Sequence, residues 1–142
     1  MNLKNLVEDA VEILKQTEQY YKIISTYNEE NNIFSIKLIT QDNISEIVSI
    51  YKDNFETDYL GNKEILVCEV FLAKNSDSIN LSEILQSNED LFFSKVYLSK
   101  EAENILMESC STLETILAKD LAIIIDEMVQ HSMYLKEEII KI

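Results

Sequence analysis

Residues 64–73 read EILVCEVFLA, the most apolar strand-like stretch of the chain. In a period-two pattern Leu66, Cys68, Val70 and Leu72 share one face, and Ile65, Val67 and Phe71 share the other. A strand apolar on both sides belongs near the centre of a sheet, covered on both faces. Three segments upstream supply neighbours: Ile23 to Tyr27, Ile33 to Ile39 and Ile44 to Lys52 are short and rich in β-branched and aromatic residues. The polar runs between them, Asn28 to Asn32 and Gln41 to Asn43, suit hairpin turns, so the strands are read as antiparallel. Asp53 to Lys63 carries the only glycine, Gly61, and is expected to be a loop ending in a tight turn.

Helical spacing frames this sheet. Leu3, Leu6, Val7, Ala10, Ile13 and Leu14 recur at three- and four-residue steps between Asn2 and about Tyr21, which predicts an amphipathic first helix. Asn80 followed by Glu83 is an asparagine-started capping box, and Leu81, Ile84 and Leu85 give a short helix its stripe. Two further strands are expected at Leu91 to Ser99 and Glu103 to Cys110. Ser111 with Glu114 reads as a capping box opening a long last helix, with Leu113, Leu117, Leu121, Ile124, Met128 and Leu135 at helical spacing. The expected order is helix, three strands, short helix, two strands, long helix (α-β-β-β-α-β-β-α). The class is α+β, with a mainly antiparallel sheet of about five strands.

At 142 residues the chain has the size of a single domain, expected to span residues 1–142. Its 12 basic residues are all lysine, against 26 aspartates and glutamates, for a net charge of −14. That field repels phosphates, and without arginine there is no fork to read guanine, so direct nucleic-acid binding is not expected. One glycine is too few for a glycine-rich dinucleotide or phosphate-binding loop. No uncharged apolar run approaches the roughly 18 residues of a membrane span, and no signal peptide is visible. Cys68 and Cys110 match no zinc or redox spacing, which points to a reducing cytoplasm.

Chemistry has few candidates. His131 is the only histidine; Glu127, one turn earlier, stands where the two would hydrogen-bond, but no further ligands or nucleophile accompany them. Cys68 and Cys110 both fall on predicted strands and are read as small buried hydrophobes. The carboxylate pairs Glu8-Asp9, Glu89-Asp90 and Asp126-Glu127 are of the kind that chance supplies in so acidic a chain. No catalytic residue, metal or cofactor is therefore expected, and the protein is read as a non-enzyme.

Binding candidates are better defined. Phe92, Phe93, Tyr97 and Tyr59 are aromatic residues on or near strands, the type that anchors interfaces; Phe92, Phe93 and Tyr97 are taken as partner-binding. Ile116, Ile123, Ile125 and Val129 widen the apolar surface of the last helix beyond one core-facing stripe. Of these, Ile116, Ile123 and Val129 are expected at a dimer interface. The acidic surface favours a basic partner and speeds encounter with it.

From Glu64 to Glu138 the chain runs as a buried strand, then NLSEILQSNEDLFFSKVYLS, then the ENILMESC strand and a long acidic helix. This layout resembles the class I type III secretion chaperones, and the YbjN-like and other bacterial proteins that share their fold. In those proteins a leucine-and-asparagine helix, here Leu81, Ile84, Leu85 and Asn88, precedes a strand hairpin. The resemblance implies a cytoplasmic homodimer that holds the unfolded segment of a secreted effector in extended form, without ATP. Two alternatives remain open: an acidic mimic of nucleic acid that inhibits a DNA-binding protein, and a regulator sharing only the fold.

Overall fold

The computed structural model describes residues 2–141. Helix α1 (Leu3–Gln16) is followed by four strands, β1 (Tyr20–Asn28), β2 (Ile33–Thr40), β3 (Ser45–Thr57) and β4 (Gly61–Lys74). The short helix α2 (Leu81–Gln86) with a 3-10 turn (Ser87–Asp90), strands β5 (Lys95–Leu98) and β6 (Asn104–Thr112), and the long helix α3 (Ala118–Tyr134), continued by a π-helical turn (Leu135–Ile140), complete the order. The α+β class and the three helices are as the sequence predicted. The sheet has six strands where about five were expected, because β4 adds to the three upstream segments and four strands precede α2. All pairings are antiparallel, in the order β1-β2-β3-β4-β6-β5.

Local chemistry explains the turns. Asn32 and Asn43 close the first two hairpins in the left-handed region, with φ of 56° and 64°, which asparagine tolerates through its short hydrogen-bonding side chain. Gly61, at φ +76°, closes the third. Most of the expected Asp53–Lys63 loop is strand instead: Phe55 pairs with Lys63, Glu56 with Asn62 and Thr57 with Gly61. Only Asp58–Leu60 turns the chain, so β3 and β4 form one long ribbon.

The last helix also begins later than its sequence predicted. Ser111 and Thr112 stay in the ladder opposite Leu66 and Ile65, and Leu113 N–H still reaches the Glu64 carbonyl. Sheet pairing thus outcompetes the Ser111–Glu114 capping box. Asp120 does the capping, its carboxylate accepting the Leu117 N–H at 3.2 Å. Asn80 caps α2 as expected, accepting the Glu83 N–H at 3.1 Å while its amide donates to the Glu83 carboxylate.

Helices α1 and α3 pack on each other and cover one face of the sheet. Beneath them lie rows of facing residues such as Phe34, Ile50 and Cys68, or Val70, Met107 and Val96. Leu6, Leu121, Ile125, Met128 and Val129 seal the core from the helix side. Tyr20 ties β1 to α3 by donating its hydroxyl to Asp126 at 2.6 Å; burial, then that carboxylate, hold its pKa above the usual phenol value.

One charged group enters the core edge. Glu46, buried opposite Leu38, accepts from Ser132 Oγ at 2.9 Å and from Lys136 Nζ at 2.7 Å. Removing the cation leaves a desolvated carboxylate with weaker partners. Lys136→Met is expected to lower the unfolding free energy by about 2 kcal/mol. Urea denaturation should also show that adding Glu46→Leu to it restores much of the loss; an unchanged midpoint in the single variant would refute the role given to the pair.

Candidate functional site

Glu127, on α3, organises the segment between α2 and β5. Its Oε2 accepts the Phe92 N–H at 2.9 Å, and its Oε1 accepts the Phe93 and Ser94 N–H groups, both at 3.0 Å, and the Ser94 hydroxyl at 2.7 Å. Residues 91–94, expected to begin a strand, are therefore a turn wrapped on a carboxylate. Burial works against ionisation of Glu127, but these four donors outweigh it and hold its pKa below the ordinary value. With their N–H groups turned inward, Phe92 and Phe93 are 87% and 53% exposed. Phe93, Ile116 and Ile123 line a groove of about 280 Å³ that Thr115 and Asp120 edge. Leu117, placed by its spacing in the core stripe of the last helix, is instead half exposed. Val129, expected at a dimer interface, has no exposed surface and packs within the protomer core, so it has nothing to offer a second chain.

The second surface is the sheet face that no helix covers. Pairing register puts Ile24, Lys37 and Ile47 in one row across it, and Phe71, Leu106 and Tyr97 in another. Phe71 is 51% exposed and Ile47 nearly as much. The expectation that β4 is buried on both sides is thus corrected: it is central, but on this face only Val67 is buried. Tyr97 lies here, away from Phe92 and Phe93, and Tyr59 stands at the β3–β4 turn.

At the middle of the open face Glu69 and Glu108 stand directly opposite each other on β4 and β6. Tyr51 donates to Glu69 at 3.3 Å and Tyr97 to Glu108 at 3.2 Å. Burial first, and these carboxylates next, push the Tyr51 pKa up to about 12 and raise that of Tyr97, so both remain donors at neutral pH. Tyr51, Phe55, Ile65 and Val67 line a hollow of about 300 Å³ on this face, with Asp53 and Glu108 beside them.

The remaining candidates resolve into structural roles. His131 bonds Ser87 Oγ through Nε2 at 2.9 Å and makes no pair with Glu127, which is engaged by the turn. Ser87 Oγ gives its proton to the Ile84 carbonyl, so His131 is the donor to Ser87; it is not a base activating a nucleophile. Burial keeps the imidazole pKa below its usual value. Cys68 is buried as expected, but Cys110 is exposed. The two sit opposite Ser109 and Val67, on different faces of the sheet, so they form no redox pair. Burial pushes the Cys68 thiol up to about 12; at Cys110 partial desolvation and then the Glu108 carboxylate that accepts its S–H push the thiol up to about 11. Asp126 and Glu127 hold Tyr20 and the 92–94 turn separately. Among the described residues no three His, Cys, Asp or Glu side chains are placed to hold a metal ion. A cleft of about 810 Å³ lies by the β1–β2 turn and includes the Lys52–Glu64 ion pair.

No protein-family model matches the chain, and no curated protein matches it. Among solved structures it is similar to the Yersinia pestis type III secretion chaperone SycH, solved in complex with a stable fragment of YscM2. The identity is 20%, the TM-score is 0.56, and the match covers 92% of this chain and 97% of that one. At that identity the likeness establishes a shared fold. Among the described residues no helix is long and apolar enough to cross a membrane.

The Glu127 turn makes a pH-dependent prediction. A carboxyl whose folded pKa is lowered contributes stability above its unfolded value, here the ordinary 4.5, and loses it as pH falls through the lower folded value. The protection factors of the Phe92, Phe93 and Ser94 amides, measured by NMR exchange against the intrinsic rate at each pH, should be high at neutral pH and fall only below that ordinary value. In Glu127→Ala they should be low at every pH, with the rest of the sheet unchanged; equal protection in the variant would refute the assignment.

Proposed function

We propose that the chain is a non-enzymatic, cytoplasmic protein-binding protein of the secretion-chaperone type. It holds an extended or partly unfolded segment of a partner, such as a secreted effector, against the open face of its sheet. The observation that carries this reading is the uncovered face itself, where Ile47, Phe71, Leu106 and Tyr97 lie in register with no helix over them. Soluble proteins seldom leave such a surface without a use. Strand β1 strengthens the case, because it pairs on one side only and leaves its other edge to accept a strand. The fold likeness adds a protein solved with a fragment of another chain in place. Carboxylates on this face alternate with Ile, Phe and Tyr side chains, which suits a protein segment better than mimicry of a phosphate row.

A homodimer completes the reading. The groove of Phe93, Ile116 and Ile123 is an exposed apolar patch on α3 and the turn before β5, distinct from the sheet face. Two copies joined there would leave both open faces free. Light scattering should give twice the chain mass for the wild type and the single-chain mass for Ile123→Asp; a monomeric wild type would discard this interface.

Holding activity is tested with reduced, denatured lysozyme, a basic model client, diluted from urea. The wild type is expected to suppress its aggregation at equimolar ratio without ATP. Ile47→Asp and Phe71→Asp should lose most of that suppression while unfolding at the wild-type denaturant midpoint. Both variants add negative charge, so suppression that survives in them would mean charge attraction alone and would overturn the docking role of the face.

A further inference from the structure

We propose that the hollow beside Glu108 on the open sheet face receives an arginine side chain from the partner segment. The inference deepens the reading above and rests on it, since it names the chemistry that a segment laid on that face must carry. Its lining combines apolar Val67 and Ile65, aromatic Tyr51 and Phe55, and the acidic Glu108 and Asp53, with Asn54 and Cys110 completing it. A long side chain with an apolar stem and a cationic head matches each of these parts. Small-molecule pockets begin at about 300 Å³, so the volume suits one side chain better than a free cofactor.

Charge gives the direction. Glu108 and Glu69 face each other directly across β4 and β6, an arrangement that destabilises a sheet unless a cation stands near. Lys95 is the residue opposite Glu108 on β5, yet it makes no ion pair with it; among the described residues the lysines that do pair are Lys15, Lys52, Lys63 and Lys136. The hydroxyls of Tyr51 and Tyr97 reach the two carboxylates only at 3.3 and 3.2 Å, long for a charged acceptor, and the Cys110 thiol, a weak donor, meets Glu108 Oε1 at 3.3 Å. The fold therefore leaves acceptor capacity on both groups.

Arginine fits better than lysine because its planar guanidinium lies flat on an aromatic ring while its fork donates to carboxylates. The source follows from composition. These 142 residues contain no arginine, so a second copy of them cannot supply the group, which directs the proposal to a segment of a different protein.

The test uses the full chain and two short capped peptides of alternating valine and threonine, one with a central arginine and one with citrulline, its neutral isostere, in that place. Binding is followed by fluorescence anisotropy at low and high salt. The arginine peptide should bind at least roughly tenfold more tightly, the factor expected of one charge-assisted hydrogen bond. Salt should narrow the gap, and Glu108→Gln with Asp53→Asn should close it while the affinity for the citrulline peptide stays the same. Equal binding of the two peptides to the wild type would overturn the arginine site and leave the docking face standing. Failure of both to bind would overturn the docking face with it. A preference that survives in the double variant would place the cation elsewhere and also refute the proposal.

Discussion

Helices α1 and α3 bury one face of a six-stranded antiparallel sheet, and the other features of the molecule follow from that one-sided contact. In a strand, side chains alternate between faces, so fixing which residues of β3 and β4 lie under α3 also fixes which point away from it. Ile50 and Cys68 go inward, and their neighbours Tyr51, Val67 and Glu69 go outward. No local rearrangement within the ladder can bury Phe71 or Ile47 without exposing the core residues beside them. The open face is thus a consequence of register, and its apolar content is a property of the sequence that folding of the protomer does not use.

Elements whose signal was local were legible in the sequence. The spacing from Leu3 to Leu14, the Asn80–Glu83 cap, and the two asparagine hairpins each work within a few residues, and the structure has them where the pattern put them. What was misread depended on partners distant in sequence. Ser111 and Glu114 have the spacing of a cap, but ladder bonds to β4, some fifty residues away, hold Ser111 and Thr112 as strand. Phe92 to Ser94 look like the start of a strand until Glu127, over thirty residues later, takes their N–H groups.

The candidate surfaces divide along the same line. Aromatic character alone picked out Phe92, Phe93 and Tyr97, and all three have exposed surface, but it could not tell that they belong to different places on the molecule. Helical period assigned Ile123 and Val129 to one widened stripe. They are six residues apart, and six steps of about 100° leave them well separated around a helix, one facing solvent and the other the core. Phe71 and Ile47 drew no notice because a doubly apolar strand reads as doubly buried. Absence of a covering layer is a fact about the whole chain, which no window of residues contains.

The acidity reads differently once each carboxylate has a place. Glu46, Asp126 and Glu127 are committed to the fold: they satisfy Lys136, Tyr20 and the 92–94 turn, respectively. Glu69 and Glu108 are not, since they oppose one another and meet only two tyrosine hydroxyls and a thiol. A stability argument alone would place a lysine or a neutral residue at one of the two positions. Protein surfaces selected for binding retain such local costs where a partner removes them, because the same groups that repel in the free state contribute most when a cation arrives. The carboxylates the fold does not need and the apolar side chains the fold does not bury lie on the same face, and the cationic, extended segment proposed above would satisfy both.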